Sequence, residues 1–219
     1  ILRHRAIAMT LLADDDRFLP DHVFAVAKRR LLPVSEGADA ASEPVINADF
    51  KPPRGFRARP AAVLIPIVAR EHPTVLMTRR TARLRQHAGQ IAFPGGAVDP
   101  EDADTAAAAL REAEEEIGLD PRLVQPLGRL GPYIAGTGYH ITPVVARVEP
   151  SFRLVLNPDE VEAAFEVPLS FLMTPENHRQ GSREWDGTRH FFYEMPYDEH
   201  YIWGITAGII RGLYERLFA

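Results

Sequence analysis

One charged segment, residues 111–119, constrains this chain more than any other part of it. The segment reads Arg-Glu-Ala-Glu-Glu-Glu-Ile-Gly-Leu and completes a helix that the pattern predicts over residues 104–117. Apolar residues at positions 106, 109, 110, 113 and 117 lie on one helix face, and Gly118 ends the helix. Because Glu112, Glu115 and Glu116 are spaced i, i+3 and i+4, we expect their side chains to converge on one side of the helix.

Neighbouring carboxylates on a helix are unfavourable unless something neutralises them. Like charges at this spacing repel, and the negative end of the helix dipole disfavours acids in the last turn. A hard divalent cation removes the repulsion, because carboxylate oxygens are the ligands that such cations prefer. The plain alternative is a solvated acidic face, since glutamate is a good helix former. The helix alone leaves both interpretations open.

The residues before this helix favour metal binding. A short strand is predicted at residues 90–93, and it ends in Pro94, Gly95 and Gly96. Glycine lets a backbone turn sharply or approach a phosphate closely. A glycine pair alone is usually an ordinary loop. Here it precedes a short acidic loop and the Arg-Glu-x-x-Glu-Glu-x-Gly run, and this order of features is more specific than any one of them.

The run resembles the box of the Nudix hydrolases, G-x5-E-x7-R-E-U-x-E-E-x-G-U, in which U is apolar. The residues that match its second half are Arg111, Glu112, Ala113, Glu115, Glu116, Gly118 and Leu119. The first half departs from the box. Counted back from Arg111, the box glycine falls on Ala97 and the first glutamate on Ala103. Counted forward from Gly96, the acidic position is Asp102, with one extra residue before Arg111.

Upstream residues are similar to the signature of the coenzyme A pyrophosphatase branch, L-L-T-x-R-[SA]-x3-R-x3-G-x3-F-P-G-G. The matching residues are Arg80, Arg85, Gly89, Phe93 and Pro94. The resemblance extends from about residue 60 to the end of the chain, including residues 203–210. It implies hydrolysis of coenzyme A or acyl-CoA to 3′,5′-ADP and (acyl-)4′-phosphopantetheine, with Mg²⁺ or Mn²⁺ as cofactor. The alternatives are a Nudix enzyme acting on ADP-ribose or a dinucleotide, and a non-catalytic Nudix-fold ligand-binding module.

The resemblance also implies roles for individual residues. The expected metal ligands are Glu112, Glu115, Glu116 and Glu160. The expected substrate-binding residues are Arg80, Arg85, Gly95 and Gly96. The expected catalytic residues are Arg111, Glu112 and Glu115. Arg111 is expected to orient a box carboxylate by pairing with it, while Glu160 is equally well interpreted as a turn acid. On a strand Arg79 and Arg80 face opposite ways, so only one of them can reach the site from that element.

The remaining pattern predicts a mixed α+β fold. Strands are expected at residues 61–68 and 74–80, which form a hairpin, and at 123–130, 141–148 and 162–168. A weaker strand is expected at 190–195 and a closing helix at 205–217. The absence of a regular βαβ order favours an α+β class or an α/β/α sandwich. The resemblance implies a Nudix-like α/β/α sandwich with a mixed β-sheet.

The N-terminal part is expected to be an appendage to this domain. Residues 1–59 are interpreted as a helix and a Pro-rich connector, and residues 60–219 as the Nudix hydrolase domain. The helix is predicted at residues 18–32, with Asp21 as its N-cap. Its apolar face needs a surface to pack on, either its own core or a second subunit. We favour a contribution to a homodimer.

Composition excludes several other classes. A formal net charge of -5 argues against a nucleic-acid or anionic-membrane binder, which needs a basic surface. The chain has no cysteine, which excludes disulfides, thiolate zinc sites and a cysteine nucleophile. No stretch approaches the roughly 20 apolar residues of a membrane helix. We therefore expect a cytoplasmic protein, and the resemblance implies a small nucleotide substrate of the coenzyme A class.

Overall fold

A mixed sheet of eight strands forms the centre of the molecule in the computed structural model, which describes residues 16–34, 58–84, 87–134, 138–185 and 187–219. The strands of this sheet are β1 (Arg59–Val68), β2 (Thr74–Arg80), β3 (Ile91–Ala92), β4 (Gly95–Ala97), β5 (Val124–Arg129), β6 (Tyr133–Ile134), β7 (Tyr139–Val148) and β8 (Val161–Pro168). A second sheet contains β9 (Arg179–Trp185), β10 (Thr188–Tyr197) and β11 (His200–Trp203). The helices are α1 (Pro20–Arg30), α2 (Thr105–Ile117), α3 (Leu169–Leu172) and α4 (Gly204–Leu217).

Strand β1 organises the main sheet. It pairs in parallel with β7 over ten residues, and it forms the predicted antiparallel hairpin with β2, where Ile67 lies opposite Val75. A strand covered on both faces is apolar along its length, as β1 is between Ala61 and Val68. The sheet order β3-β2-β1-β7-β5 therefore places the most apolar strand in the middle.

Helices cover both faces of this sheet. Leu64 and Val68 of β1 pack in one apolar cluster with α2. Ile65 and Ile67 point the other way and pack in a second cluster with α1 and α4. The predicted α/β/α sandwich is confirmed by this alternation. Across the ranges that the structure describes, no helix combines the length and the apolar character that crossing a bilayer demands.

Two parts of the chain differ from the predicted elements. Strands β9 and β11 were not predicted, and β10 is longer than the weak strand expected at 190–195. The sequence of β9, Arg-Gln-Gly-Ser-Arg-Glu-Trp, is polar and lacks the alternation that marks a half-buried strand, so its pairing with β10 decides its conformation. The predicted strand at 90–93 is shorter than expected, and residues 95–97 after it form β4 against β1.

Strand β4 lies unusually close to β1. A Cβ atom on Gly95 would lie 2.3 Å from the carbonyl oxygen of Ala62, and the φ angle of Gly95 is +156°. Only a residue without a side chain fits this position. The two glycines therefore serve a close strand pairing as well as the turn that leads into it.

Helix α1 packs on the chain's own core. Its four buried residues are Val23, Phe24, Val26 and Ala27. Arg30 Nη1 also donates hydrogen bonds to the carbonyl oxygens of Leu217 and Ala219, at 3.2 and 3.1 Å. The predicted cap is wrong: Leu19 is the N-cap and makes no side-chain hydrogen bond, because Pro20 begins the helix and Asp21 lies in its first turn.

The domain boundary and the homodimer stay predictions. Residues 1–15 and 35–57, which include most of the expected connector, lie outside the described residues. The apolar face of α1, for which the sequence offered two destinations, is covered within one chain.

Replacing Gly118 by alanine tests the end of helix α2. Gly118 has φ +65°, and a Cβ there would lie 2.9 Å from the backbone nitrogen of Val155. We expect Gly118→Ala to lower the free energy of unfolding by about 2–3 kcal/mol in urea titrations, because conformational strain and a backbone clash add. The matched control is Gly187→Ala, where φ is +70° and nothing lies within 4 Å. Equal losses in the two variants would show that the Val155 contact is unimportant.

Candidate active site

Helix α2 is capped at both ends and packs against β4. The Asp104 carboxylate accepts a hydrogen bond from the Ala107 N–H at 2.8 Å, and Gly118 ends the helix in the left-handed region. Alanines form most of the buried face, so the helix backbone can approach the sheet closely. A Cβ on Gly96 would lie 2.6 Å from the carboxylate of Glu112. The helix therefore places its acids directly against the two glycines.

Glu116 is the most buried acid of the site, with 3% of its side chain exposed. Its carboxylate accepts a hydrogen bond from the Gly95 N–H at 3.2 Å and lies 3.7 Å from Arg80 Nη1. Burial raises the pKa of Glu116 to about 7, against the opposing effects of the Gly95 N–H and of Arg80. The negative charges of Glu160 and Glu112 raise this pKa further.

Glu112 and Glu160 lie near enough to Glu116 for their charges to raise its pKa. Burial raises the pKa of Glu112, the hydrogen bond from Arg111 lowers it, and the charges of Glu115 and Glu160 raise it. Glu160 precedes β8, where Asn157 Nδ2 donates to its carboxylate at 3.2 Å. Acids from two separate elements thus repel one another around the same small volume.

Arg111 holds the acidic side chains in place. Its Nε and Nη2 donate to the two carboxylate oxygens of Asp102, at 3.1 and 3.0 Å. Its Nη1 donates to Glu112 and to Glu115, each at 3.0 Å. The pairing predicted for Arg111 is therefore present, and these bonds lower the pKa of Asp102. The structure also decides between the two ways of counting the loop, because Asp102 is the acid that meets Arg111.

Glu115 lies at the rim of the site. Its side chain is 57% exposed, and it is joined to Glu112 through the shared Nη1 of Arg111. In the ranges that the structure describes, no three acidic or histidine side chains are close enough to form a ready-made metal cluster. The predicted ligand roles of Glu112, Glu115, Glu116 and Glu160 therefore stay predictions.

Arg80 lies where the acidic site meets a cavity of about 280 Å³. Gly95 and Gly96 also border this cavity. The Nε atom of Arg80 is buried and has no hydrogen-bond partner among the residues that the structure describes. Its neighbour Arg79 reaches His200 Nδ1 instead, at 3.4 Å, so the expected opposite orientation of the two arginines is present. The other predicted phosphate ligand, Arg85, lies outside the described residues.

Sequence patterns did not identify the cavity residues that α4 and β7 contribute. Ile205, Thr206 and Ile209 come from α4, and Ile141 comes from β7. These residues are more than 40 positions from the glycines in sequence and carry no catalytic signal of their own. Only the resemblance at residues 203–210 could have pointed to α4.

The pH dependence of stability tests the burial of Glu116. Its pKa is raised from 4.5 to about 7, so the folded state binds this proton more tightly than the unfolded state does. The free energy of unfolding therefore falls as the pH rises from 4.5 through 7, by up to about 3 kcal/mol. In metal-free buffer we expect Glu116→Gln to be more stable than wild type above pH 7, and this advantage should vanish near pH 4.5.

Urea unfolding across this pH range, with a chelator present, provides the measurement. The control is Glu114→Gln, because Glu114 lies on the same helix and is exposed. Parallel stability curves for wild type and Glu116→Gln would contradict the burial of an ionisable Glu116.

Comparisons of the chain with known proteins agree with this geometry. Residues 58–187 match the NUDIX domain. A Nudix hydrolase NudL of Photorhabdus laumondii, described as uncharacterized, is 46% identical over 159 residues, which are 73% of this chain and 85% of that protein. NudL of Yersinia pestis (strain Pestoides F), described in the same way, is 43% identical over 159 residues, which are 73% of this chain and 80% of that protein.

Two solved structures show weaker overall similarity. An Ap4A hydrolase binary complex from C. elegans is 19% identical and covers 50% of this chain and 80% of its own, with a TM-score of 0.43. A Nudix hydrolase from Alicyclobacillus acidocaldarius is 22% identical and covers 54% and 82%, with a TM-score of 0.43. The sequence matches therefore establish the family to which the chain belongs.

Proposed function

This chain belongs to the Nudix hydrolase family and is an enzyme of the pyrophosphatase type, and from that membership we propose that it cleaves the diphosphate bond of coenzyme A or acyl-CoA. Water adds to one phosphorus, the bridging P–O bond breaks, and 3′,5′-ADP and (acyl-)4′-phosphopantetheine leave. One observation carries the proposal: Arg80, a residue of the coenzyme A signature, lies between the buried acid Glu116 and the cavity. A guanidinium there can bind a diphosphate oxygen, because its buried Nε has no hydrogen-bond partner within the described part of the chain.

The carboxylates are the kind of donor that a hard divalent cation, Mg²⁺ or Mn²⁺, prefers. Glu112, Glu116 and Glu160 offer carboxylate oxygens, and the charge of Glu160 raises the pKa of the other two. When bound, such a cation neutralises the diphosphate and activates water for attack on phosphorus. We assign these three acids as metal ligands. Glu115 is a further ligand at the exposed rim.

The chain's other residues orient these ligands. Asp102 holds Arg111 through two hydrogen bonds, and Arg111 in turn holds Glu112. The N–H of Gly95 holds Glu116. Gly95 and Gly96 border the cavity, so a phosphate bound there would lie beside the backbone of β4. The site is therefore organised before substrate binds, which favours catalysis by positioning.

A substrate panel tests the proposal. The purified protein is given coenzyme A, acetyl-CoA, dephospho-coenzyme A, ADP-ribose and a diadenosine polyphosphate, each with Mg²⁺ or Mn²⁺, and products are identified by mass. We expect coenzyme A or its acetyl form to be hydrolysed with the highest kcat/KM, and excess chelator to abolish turnover. Faster hydrolysis of ADP-ribose or of the dinucleotide would overturn the coenzyme A assignment. Binding of a nucleotide without any turnover would identify a ligand-binding module.

Replacing Arg80 tests which phosphate this residue binds. Because Arg80 is 3.7 Å from Glu116, we expect it to contact the diphosphate and not the 3′-phosphate. Arg80→Ala should then lower kcat/KM about ten- to a hundredfold on both coenzyme A and dephospho-coenzyme A, which lacks the 3′-phosphate. The control is Arg79→Ala, whose side chain reaches His200. A larger loss on coenzyme A alone would place Arg80 at the 3′-phosphate.

A further inference from the structure

The cavity beside the acidic site has walls suited to one part of a substrate. Its volume of about 280 Å³ is at the lower limit of small-molecule pockets, which span about 300–1,000 Å³, so it accommodates only a part of a nucleotide derivative. It opens next to Arg80, Gly95 and Gly96, where the diphosphate is expected. The substrate group that binds in the cavity is therefore expected to be attached directly to a phosphate.

Much of the wall is aliphatic, beside the aromatic rings of Phe93 and Tyr139. Val63, Ile141 and Ile205 are each half-buried, and they line the cavity together with the buried Ile209. These four side chains come from β1, β7 and α4. Branched aliphatic walls of this kind attract a group without hydrogen-bonding atoms.

Several polar side chains on the walls are bonded to neighbours. His87 Nδ1 is hydrogen-bonded to the side-chain oxygen Oε1 of Gln90 at 2.8 Å, and the Thr206 hydroxyl donates to the backbone carbonyl of Ile91 at 3.0 Å. A nucleobase or a ribose carries several donors and acceptors, and each costs free energy when it is buried without a partner. Apart from Arg80 and Tyr139, which also line the cavity, the walls offer such groups little to bind, so the cavity suits an apolar group better than the nucleoside half of the substrate.

We infer that this cavity binds the branched aliphatic segment next to the phosphate, and that Ile205 determines specificity for it. In coenzyme A the phosphate is followed by a methylene and then by a quaternary carbon with two methyl groups, which matches aliphatic walls beside a phosphate site. This inference rests on the proposed function, because it assumes that the diphosphate lies at Arg80 and β4. Adenosine then extends away from the cavity.

Two simple esters of ADP test the inference. Both carry adenosine diphosphate, but one has a methyl group on the terminal phosphate and the other a 2,2-dimethylpropyl group, which reproduces the branched segment. We expect wild type to hydrolyse the branched ester with a kcat/KM about tenfold or more above that of the methyl ester, since a few methyl groups in an apolar pocket give discrimination of this order. Ile205→Phe fills the cavity and should bring the ratio close to one.

The ratio is measured on one preparation of each variant, so a partly unfolded sample leaves it unchanged. The matched control is Val155→Phe, which adds a ring at a position that is 75% exposed and does not line the cavity. This variant should keep the wild-type ratio. Two results would overturn the inference: no preference for the branched ester in wild type, or equal losses on both esters in Ile205→Phe. The second result would mean that the cavity binds the adenosine that the esters share.

Failure of the inference can be told apart from failure of the proposed function. If coenzyme A is hydrolysed but the two esters are cleaved alike, the proposed function holds and the inference is wrong. If the branched ester is preferred and Ile205→Phe removes the preference, the inference holds even when coenzyme A itself is not a substrate. In that case the 3′-phosphate or the remainder of the pantetheine part prevents coenzyme A from binding.

Discussion

The contact between α2 and the glycines of β4 is the constraint on which the rest of the site depends. Carboxylates can be brought against a sheet only if the helix backbone comes close, and the alanine face of α2 allows that. Gly96 then leaves the room that the Glu112 carboxylate occupies, and Gly95 supplies an N–H to Glu116. A side chain at Gly95 would clash with Ala62 and Val63 of β1, and one at Gly96 would displace the Glu112 carboxylate. The acids would lose their position and their burial together.

Burial and repulsion in this site oppose stability and favour ligand binding. Glu116 lies almost fully buried with a partner at 3.7 Å, which is too long for a strong ion pair. Glu112 and Glu160 add charge of the same sign nearby. Arg111 offsets part of this repulsion, since it bonds four oxygens of Asp102, Glu112 and Glu115. What remains is a local excess of negative charge that a divalent cation would neutralise.

The sequence predicted those parts of the molecule whose signals are local. The hairpin of β1 and β2 and the bounds of α2 follow from apolar runs, periodicity and the left-handed Gly118. Strand β9 could not be predicted, because its polar residues become a strand only through pairing with β10. The Asp21 cap failed because Pro20 sets the start of α1 by itself.

The same distinction applies to the candidate site. The helix spacing predicted that Glu112, Glu115 and Glu116 converge; Glu116 is buried, whereas Glu115 is 57% exposed. The resemblance selected Arg80, which lies 3.7 Å from Glu116. No pattern could show that Glu115 is held at the rim by Arg111, because that depends on a guanidinium shared between two acids. The aliphatic walls of the cavity could not be predicted from the sequence either. They join Val63, Ile141 and Ile205, which only the tertiary fold brings together.

The hydrogen bond from Arg30 to Leu217 joins residues 187 positions apart, and it has a kinetic consequence. The rings of Phe18 and Phe218, 5.4 Å apart, close the same long loop. Contacts of such separation form late, since the loss of chain entropy precedes any compensating burial. The α2 face of the sheet is built from contacts much nearer in sequence. We expect the face that α1 and α4 cover to close late in folding, after the contacts nearer in sequence have formed.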